Sequence, residues 1–77
     1  MNRYKYILDM LKNNGFNFSA EIVPGYDGTL VIKTDKETAE NSHFQHIMEK
    51  SGFMYLHYFD KCFIYTTTIR YIYVVIE

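Results

Sequence analysis

Apolar residues near the start of the chain recur at helical spacing. Tyr4, Ile7, Leu8 and Leu11 occupy i, i+3, i+4 and i+7, while Lys5, Asp9 and Lys12 fall outside that stripe. The spacing predicts a helix from Arg3 to Asn13. The period then drops to two: Phe16, Phe18, Ala20 and Ile22 alternate with Asn17, Ser19 and Glu21, which predicts a strand with one apolar and one wet face. Pro24-Gly25-Tyr26-Asp27-Gly28 is dense in turn formers and closes a hairpin onto Thr29-Leu30-Val31-Ile32-Lys33.

The same order of events then repeats. A second helix is predicted to start at Thr34 or Asp35, because Thr34 and Glu37 have the spacing of a capping box. Phe44, Ile47 and Met48 form its apolar stripe, whereas Lys36 to Ser42 is nearly all polar and is expected to project or fray. Both helical stretches end on a glycine followed by phenylalanine, Gly15-Phe16 and Gly52-Phe53. Glycine adopts the left-handed conformation that stops a helix, and the following apolar residue packs back on the last turn. Both glycines are therefore expected to be structural stops rather than ligand contacts.

Beyond Phe53 the chain is rich in Tyr, Phe, Ile, Val and Thr, the composition of strands. Asp60-Lys61 is the expected turn, and the run from there to Ile76 is too long for one strand, so a bulge or bend is expected around Thr66-Thr67-Thr68. Simple alternation puts Phe53, Tyr55, His57 and Phe59 on one face and Met54, Leu56 and Tyr58 on the other. Tyr71, Tyr73 and Val75 likewise oppose Ile72, Val74 and Ile76. A two-residue and a three-residue turn at Asp60 pair opposite rows across this hairpin, and the pattern allows either.

These elements predict an α+β fold: one domain spanning residues 1–77, of order αββαββ, with an antiparallel sheet of four or five strands and two helices on one face. Two helices cover one side of such a sheet, so the other side should display a row of tyrosines. Tyr55, Tyr65, Tyr71 and Tyr73 are the candidate partner-binding residues, because Tyr offers large, rigid contact area and is enriched in interface anchors. The plainer alternative lays one Tyr row over the helix edges with its hydroxyls in water. A partner on this face would be a target protein or, in a homodimer, a second copy of the chain.

Composition narrows the class. A chain of 77 residues with 8 Tyr, 6 Phe and 48% hydrophobic residues is too apolar for disorder, yet it holds no apolar run long enough for a membrane span. The opening residues lack the apolar core of a signal peptide, and the single Cys62 can form no internal disulfide, so a cytoplasmic location is expected. The net charge of −1 lacks the concentrated positive charge that phosphate backbones require. A nucleic-acid surface would have to gather Arg3, Lys5, Lys12, Lys33, Lys61 and Arg70 from across the chain.

Candidate chemistry is sparse. His43 and His46 have the i, i+3 spacing of two metal-binding imidazoles, with Glu40 or Glu49 nearby, but no third ligand stands at a fixed spacing. His57 and Cys62 flank the Asp60 turn without an orienting acid or oxyanion donors. The Pro24–Gly28 segment lacks the Gly-Lys-Ser/Thr sequence of a phosphate loop. No catalytic, metal or cofactor residue is assigned. The opening order, helix then Asn13-Asn14-Gly15-Phe16 then hairpin, resembles small toxin domains that cleave messenger RNA. The strand-borne Ser-His pair and basic surface of those domains have no counterpart here, and no residue is carried over. The expected function is a non-enzymatic binding protein that occupies a surface of a larger macromolecule. Small inhibitors encoded by phages or mobile elements, anti-CRISPR proteins among them, have this character. The alternative is a nucleic-acid-binding or toxin-like domain using the sheet face.

Overall fold

The computed structural model describes residues 4–24, 28–67 and 69–77. Arg3, the Gly25-Tyr26-Asp27 tip of the first hairpin and Thr68 of the expected bend lie outside the described residues. The elements are α1 (Lys5–Asn13), β1 (Ser19–Val23), β2 (Thr29–Thr34), α2 (Lys36–Glu40), α3 (Ser42–Lys50), β3 (Met54–Phe59), β4 (Cys62–Thr66) and β5 (Tyr71–Ile76).

Both helix stops form as the glycines predict. Gly15 has φ +82°, its N–H donates to Lys12 O at 3.0 Å, and the N–H of Phe16 donates to Leu11 O at 3.2 Å. Gly52 repeats the arrangement at φ +89°, with bonds of 3.0 Å from Gly52 to Glu49 O and from Phe53 to Met48 O. These paired bonds satisfy carbonyls that a helix end would otherwise leave orphaned. They also aim each Phe inward: Phe53 is buried 6.1 Å from the ring of Tyr4, and Phe16 meets Phe44 edge-on at 5.4 Å. A Cβ at Gly52 would meet nothing within 4 Å, so only the backbone opposes substitution. Gly52→Val is expected to lower stability by about 1 kcal/mol or more, read from denaturant midpoints, and an unchanged midpoint would refute the left-handed stop.

The second helical stretch is two helices rather than one. Asn41 sits between them in extended conformation (φ −65°, ψ 128°), and its side-chain oxygen accepts the N–H groups of His43 at 2.8 Å and Phe44 at 3.2 Å. An Asn cap restarts the helix there. The polar start does not fray: Asp35 caps α2 by accepting the Thr38 N–H at 2.7 Å, and Ala39 is buried. That bond also holds the Asp35 carboxyl below its ordinary range. The expected Thr34–Glu37 capping box does not form. Thr34 is the buried last residue of β2, and its hydroxyl donates to Asn17 O at 2.7 Å.

The strand order is β1-β2-β5-β4-β3, with β2 and β5 parallel and every other pair antiparallel. The fold is α+β, but the sheet is mixed rather than antiparallel, with three helices in place of two. Leu30, Ile32, Phe63, Tyr65, Ile72 and Val74 turn to one face, where they form a single core with Tyr4, Ile7, Leu11, Ala39, Phe44, Ile47 and Met48 from the helical segments. All helices therefore lie on that face. Tyr4 also ties the start of α1 to β2, its hydroxyl donating to Gly28 O at 2.7 Å.

The β3–β4 turn is of two residues, Phe59 pairing with Cys62, and both Asp60 (φ 51°) and Lys61 (φ 61°) are left-handed. Such a turn matches the twist of the flanking strands but favours Gly at its second position. Lys61→Gly is expected to raise stability by about 1 kcal/mol, again read from the denaturant midpoint; a loss would show that the Lys side chain holds the turn. A register shift between Tyr55 and His57 leaves Leu56 as the extra residue of a bulge. The break in the long final run falls between Thr66 and Tyr71, where Thr66 and Thr67 hydroxyls bond Arg70 O (2.9 Å) and Arg70 N (3.1 Å).

Candidate binding surface

Cross-strand pairing assigns the paired strand residues to faces. On the helix face lie Ala20, Ile22, Leu30, Ile32, Ile72, Val74, Tyr65 and Phe63. On the opposite face one row reads Glu21, Val31, Tyr73, Ile64 and His57 across five strands, and the next reads Ser19, Lys33, Val75, Cys62 and Phe59. Tyr71, Thr66 and Met54 form a third row. No described helix or loop covers this open face. Its centre is apolar and aromatic; charge appears only toward β1, where Lys33 and Glu21 pair at 3.9 Å.

The four predicted tyrosines do not share a surface. Tyr71 and Tyr73 lie together on the open face with rings stacked at 6.1 Å and 27°. Tyr65 pairs with Ile72, not with Tyr71 or Tyr73, and therefore points into the helix-covered core, where it is 1% exposed. Tyr55 pairs with Tyr65 and shares its side of the sheet, but at the edge, 53% exposed. The bulge produces this arrangement. It puts Tyr55 and Tyr58 on the helix face and Met54, His57 and Phe59 on the open face, where simple alternation separates Tyr58 from Tyr55.

Beside β3 the helix face carries an aromatic cluster. Tyr58 stands 4.8 Å from Phe63, and Tyr55 stands 6.3 Å from Phe63 and 5.9 Å from Tyr65. A shallow pocket of about 310 Å³ opens there between Gln45, Glu49, Tyr55, Phe63 and Tyr65. Burial pushes the Tyr65 phenol up to about 12, with Glu49 and Tyr55 adding to the shift. A larger pocket of about 460 Å³ lies where α1 meets the segment from Gly15 to Ala20, lined by Leu8, Lys12, Phe16 and Phe18 among others.

The chemical candidates disperse. His43 Nε2 is 2.9 Å from Asn14 Oδ1, joining the start of α3 to the end of α1, and no group of three or more His, Cys, Asp or Glu among the described residues could hold a metal ion. His57 and Cys62 share the open face on neighbouring strands, but burial, with Asp60 adding, raises the Cys62 thiol pKa and keeps it from being a ready thiolate. The described basic residues do not gather either. Lys5 pairs with Asp9 at 2.8 Å on α1, Lys33 pairs with Glu21, and Lys61 and Arg70 stand at opposite ends of the β4–β5 pair.

Sequence reasoning missed Val31 and Ile64 as open-face residues. Each sits between two core residues of its strand, and that was the available signal. These features define a small α+β domain whose five-stranded mixed sheet is covered by helices on one face and, among the described residues, by no helix on the other. No family model matches the chain, and no curated protein or solved structure matches it. No helix among the described residues is long and apolar enough to cross a membrane.

Proposed function

We propose that this is a non-enzymatic binding protein that acts by laying the open face of its sheet on a surface of a larger protein. One observation carries the reading: Val31, Ile64, Tyr71, Tyr73 and Val75 form a contiguous apolar patch where a one-sided sheet ordinarily presents polar residues. The open side of β1 is more polar, with Ser19 and Glu21 beside Val23. The two stacked tyrosines are the anchors, giving rigid contact area while their hydroxyls stay wet. Occlusion of a functional surface is the use such a face supports, as in a small phage-borne or mobile-element inhibitor of the anti-defence kind.

The nucleic-acid alternative has less support, since the one lysine among the three rows of this face is already paired with Glu21. The test is affinity capture from host lysate with the wild type and with the Tyr71→Ala, Tyr73→Ala double variant side by side. A protein retained by the first and lost from the second supports the reading. Capture that is equal for both, or of nucleic acid alone, refutes it.

A further inference from the structure

We infer that β3 is a dimerisation edge, along which a second copy of this chain pairs its own β3 antiparallel to form one continuous sheet. β3 is the last strand in the sheet order, so the outer backbone groups of Met54–Phe59 have no strand partner among the described residues. Natural edge strands are commonly guarded by charge, proline or a bulge, and of these β3 has only the bulge at Leu56. The other edge, β1, carries Glu21. β3, reading Met-Tyr-Leu-His-Tyr-Phe, carries no Asp, Glu, Lys, Arg or Pro.

The apolar exposure of the molecule is concentrated on this strand. Five of the ten exposed large hydrophobic residues among those described are Met54, Tyr55, Leu56, Tyr58 and Phe59, with Met54 and Phe59 both 71% exposed. They lie on both sides of the sheet, so neither the helices nor a partner seated on the open face covers them all. An added strand with side chains on both faces does.

The occupant is a second copy because the edge is self-complementary. Antiparallel twofold pairing sets each residue opposite its mirror position, and opposed residues must share a face. In an unbulged strand positions 54 and 59 point to opposite faces. The bulge at Leu56 brings Met54 and Phe59 both to the open face and Tyr55 and Tyr58 both to the helix face. Mirror pairing then sets Met54 against Phe59 of the second copy on one side and Tyr55 against Tyr58 of the second copy on the other. The contacts are sulfur–aromatic and aromatic–aromatic, and no like charges oppose. The twofold axis stands normal to the sheet. Two five-stranded sheets become one, with both sets of helices on the same side and both open faces on the other. The pairing is independent of any target contact.

The oligomeric state tests it, by sedimentation of the purified chain up to roughly 1 mM. Wild type is expected to dimerise. Met54→Lys with Phe59→Lys sets lysine against lysine and is expected to raise the dimer Kd at least about tenfold, whereas Met54→Lys with Phe59→Glu sets lysine against glutamate and retains the dimer. Both sites are surface positions, and circular dichroism is the check that each variant folds. In wild type, amide exchange of β3 is expected to slow with concentration while that of β1 does not. A wild type monomeric throughout the range, two double variants that behave alike, or a dimer that dissolves in the Tyr71→Ala, Tyr73→Ala variant would each overturn the edge pairing.

Discussion

Tyr65→Ala is expected to lower stability by about 3–5 kcal/mol, the range for removing a buried aromatic ring from a packed core. A chain of 77 residues commands roughly 4–12 kcal/mol in all, so the loss runs from about a third of the stability at the upper end of that range to all of it at the lower. The ring is 1% exposed, sits opposite Ile72 across the β4–β5 pair and lies 5.9 Å from Tyr55, so its removal leaves a void in a close-packed interior. Tyr65→Phe separates ring from hydroxyl. The phenol is neutral below its ordinary value of 10 in folded and unfolded chain alike, so its share of stability is complete there and is lost as pH rises from 10 through about 12. Thermal melts should therefore show the wild type losing stability against Tyr65→Phe across that window and matching its trend below it. A Tyr65→Ala variant that melts like wild type would remove Tyr65 from the core.

The Tyr71→Ala, Tyr73→Ala double variant is expected to do the reverse: to leave the melting temperature nearly unchanged and to weaken partner binding by about 2 kcal/mol or more, roughly thirtyfold in Kd. Tyr71 is 43% exposed, and the two rings stack on each other on the face away from the helices. Removing them opens no cavity among the core side chains. Their loss takes away anchor area that only a bound partner would desolvate. Calorimetry or surface binding with the captured partner, alongside melts of the free protein, reads both quantities. Unfolding of the free variant would assign the rings to structure, and unchanged affinity at full folding would make them decoration.

The contrast between Tyr65 and Tyr71 shows where the sequence was readable. Helix stops were plain, because Gly15-Phe16 and Gly52-Phe53 carry a local backbone requirement that only glycine meets cheaply. The turn at Asp60-Lys61 was equally plain in position, and the alternation of β5 was right. Local chemistry, however, does not state which strands become neighbours. The parallel β2–β5 pair joins segments separated by two helices and a hairpin, and its trace in the sequence is only that β5 is apolar on both faces, as central strands are, while β2 keeps Thr29 and Lys33 on its open face. The bulge at Leu56 leaves no trace in composition, yet it decides which face Tyr58 joins Tyr55 on. Asn41 was hidden differently: it reads as one polar residue among many until its carbonyl is seen to start a helix.

The parallel pair also fixes the order in which the molecule can be completed during synthesis. β1 with β2 and β3 with β4 are each hairpins whose partners emerge from the ribosome in quick succession. The strand that joins them, β5, is made after both, and its final bonds, Ile76 N–H to Lys61 O at 2.8 Å and Glu77 N–H to Thr34 O at 2.9 Å, span it from either side. Without residues 71–77 the two hairpins lack the strand that joins them, and the inner edges of β2 and β4 are both open.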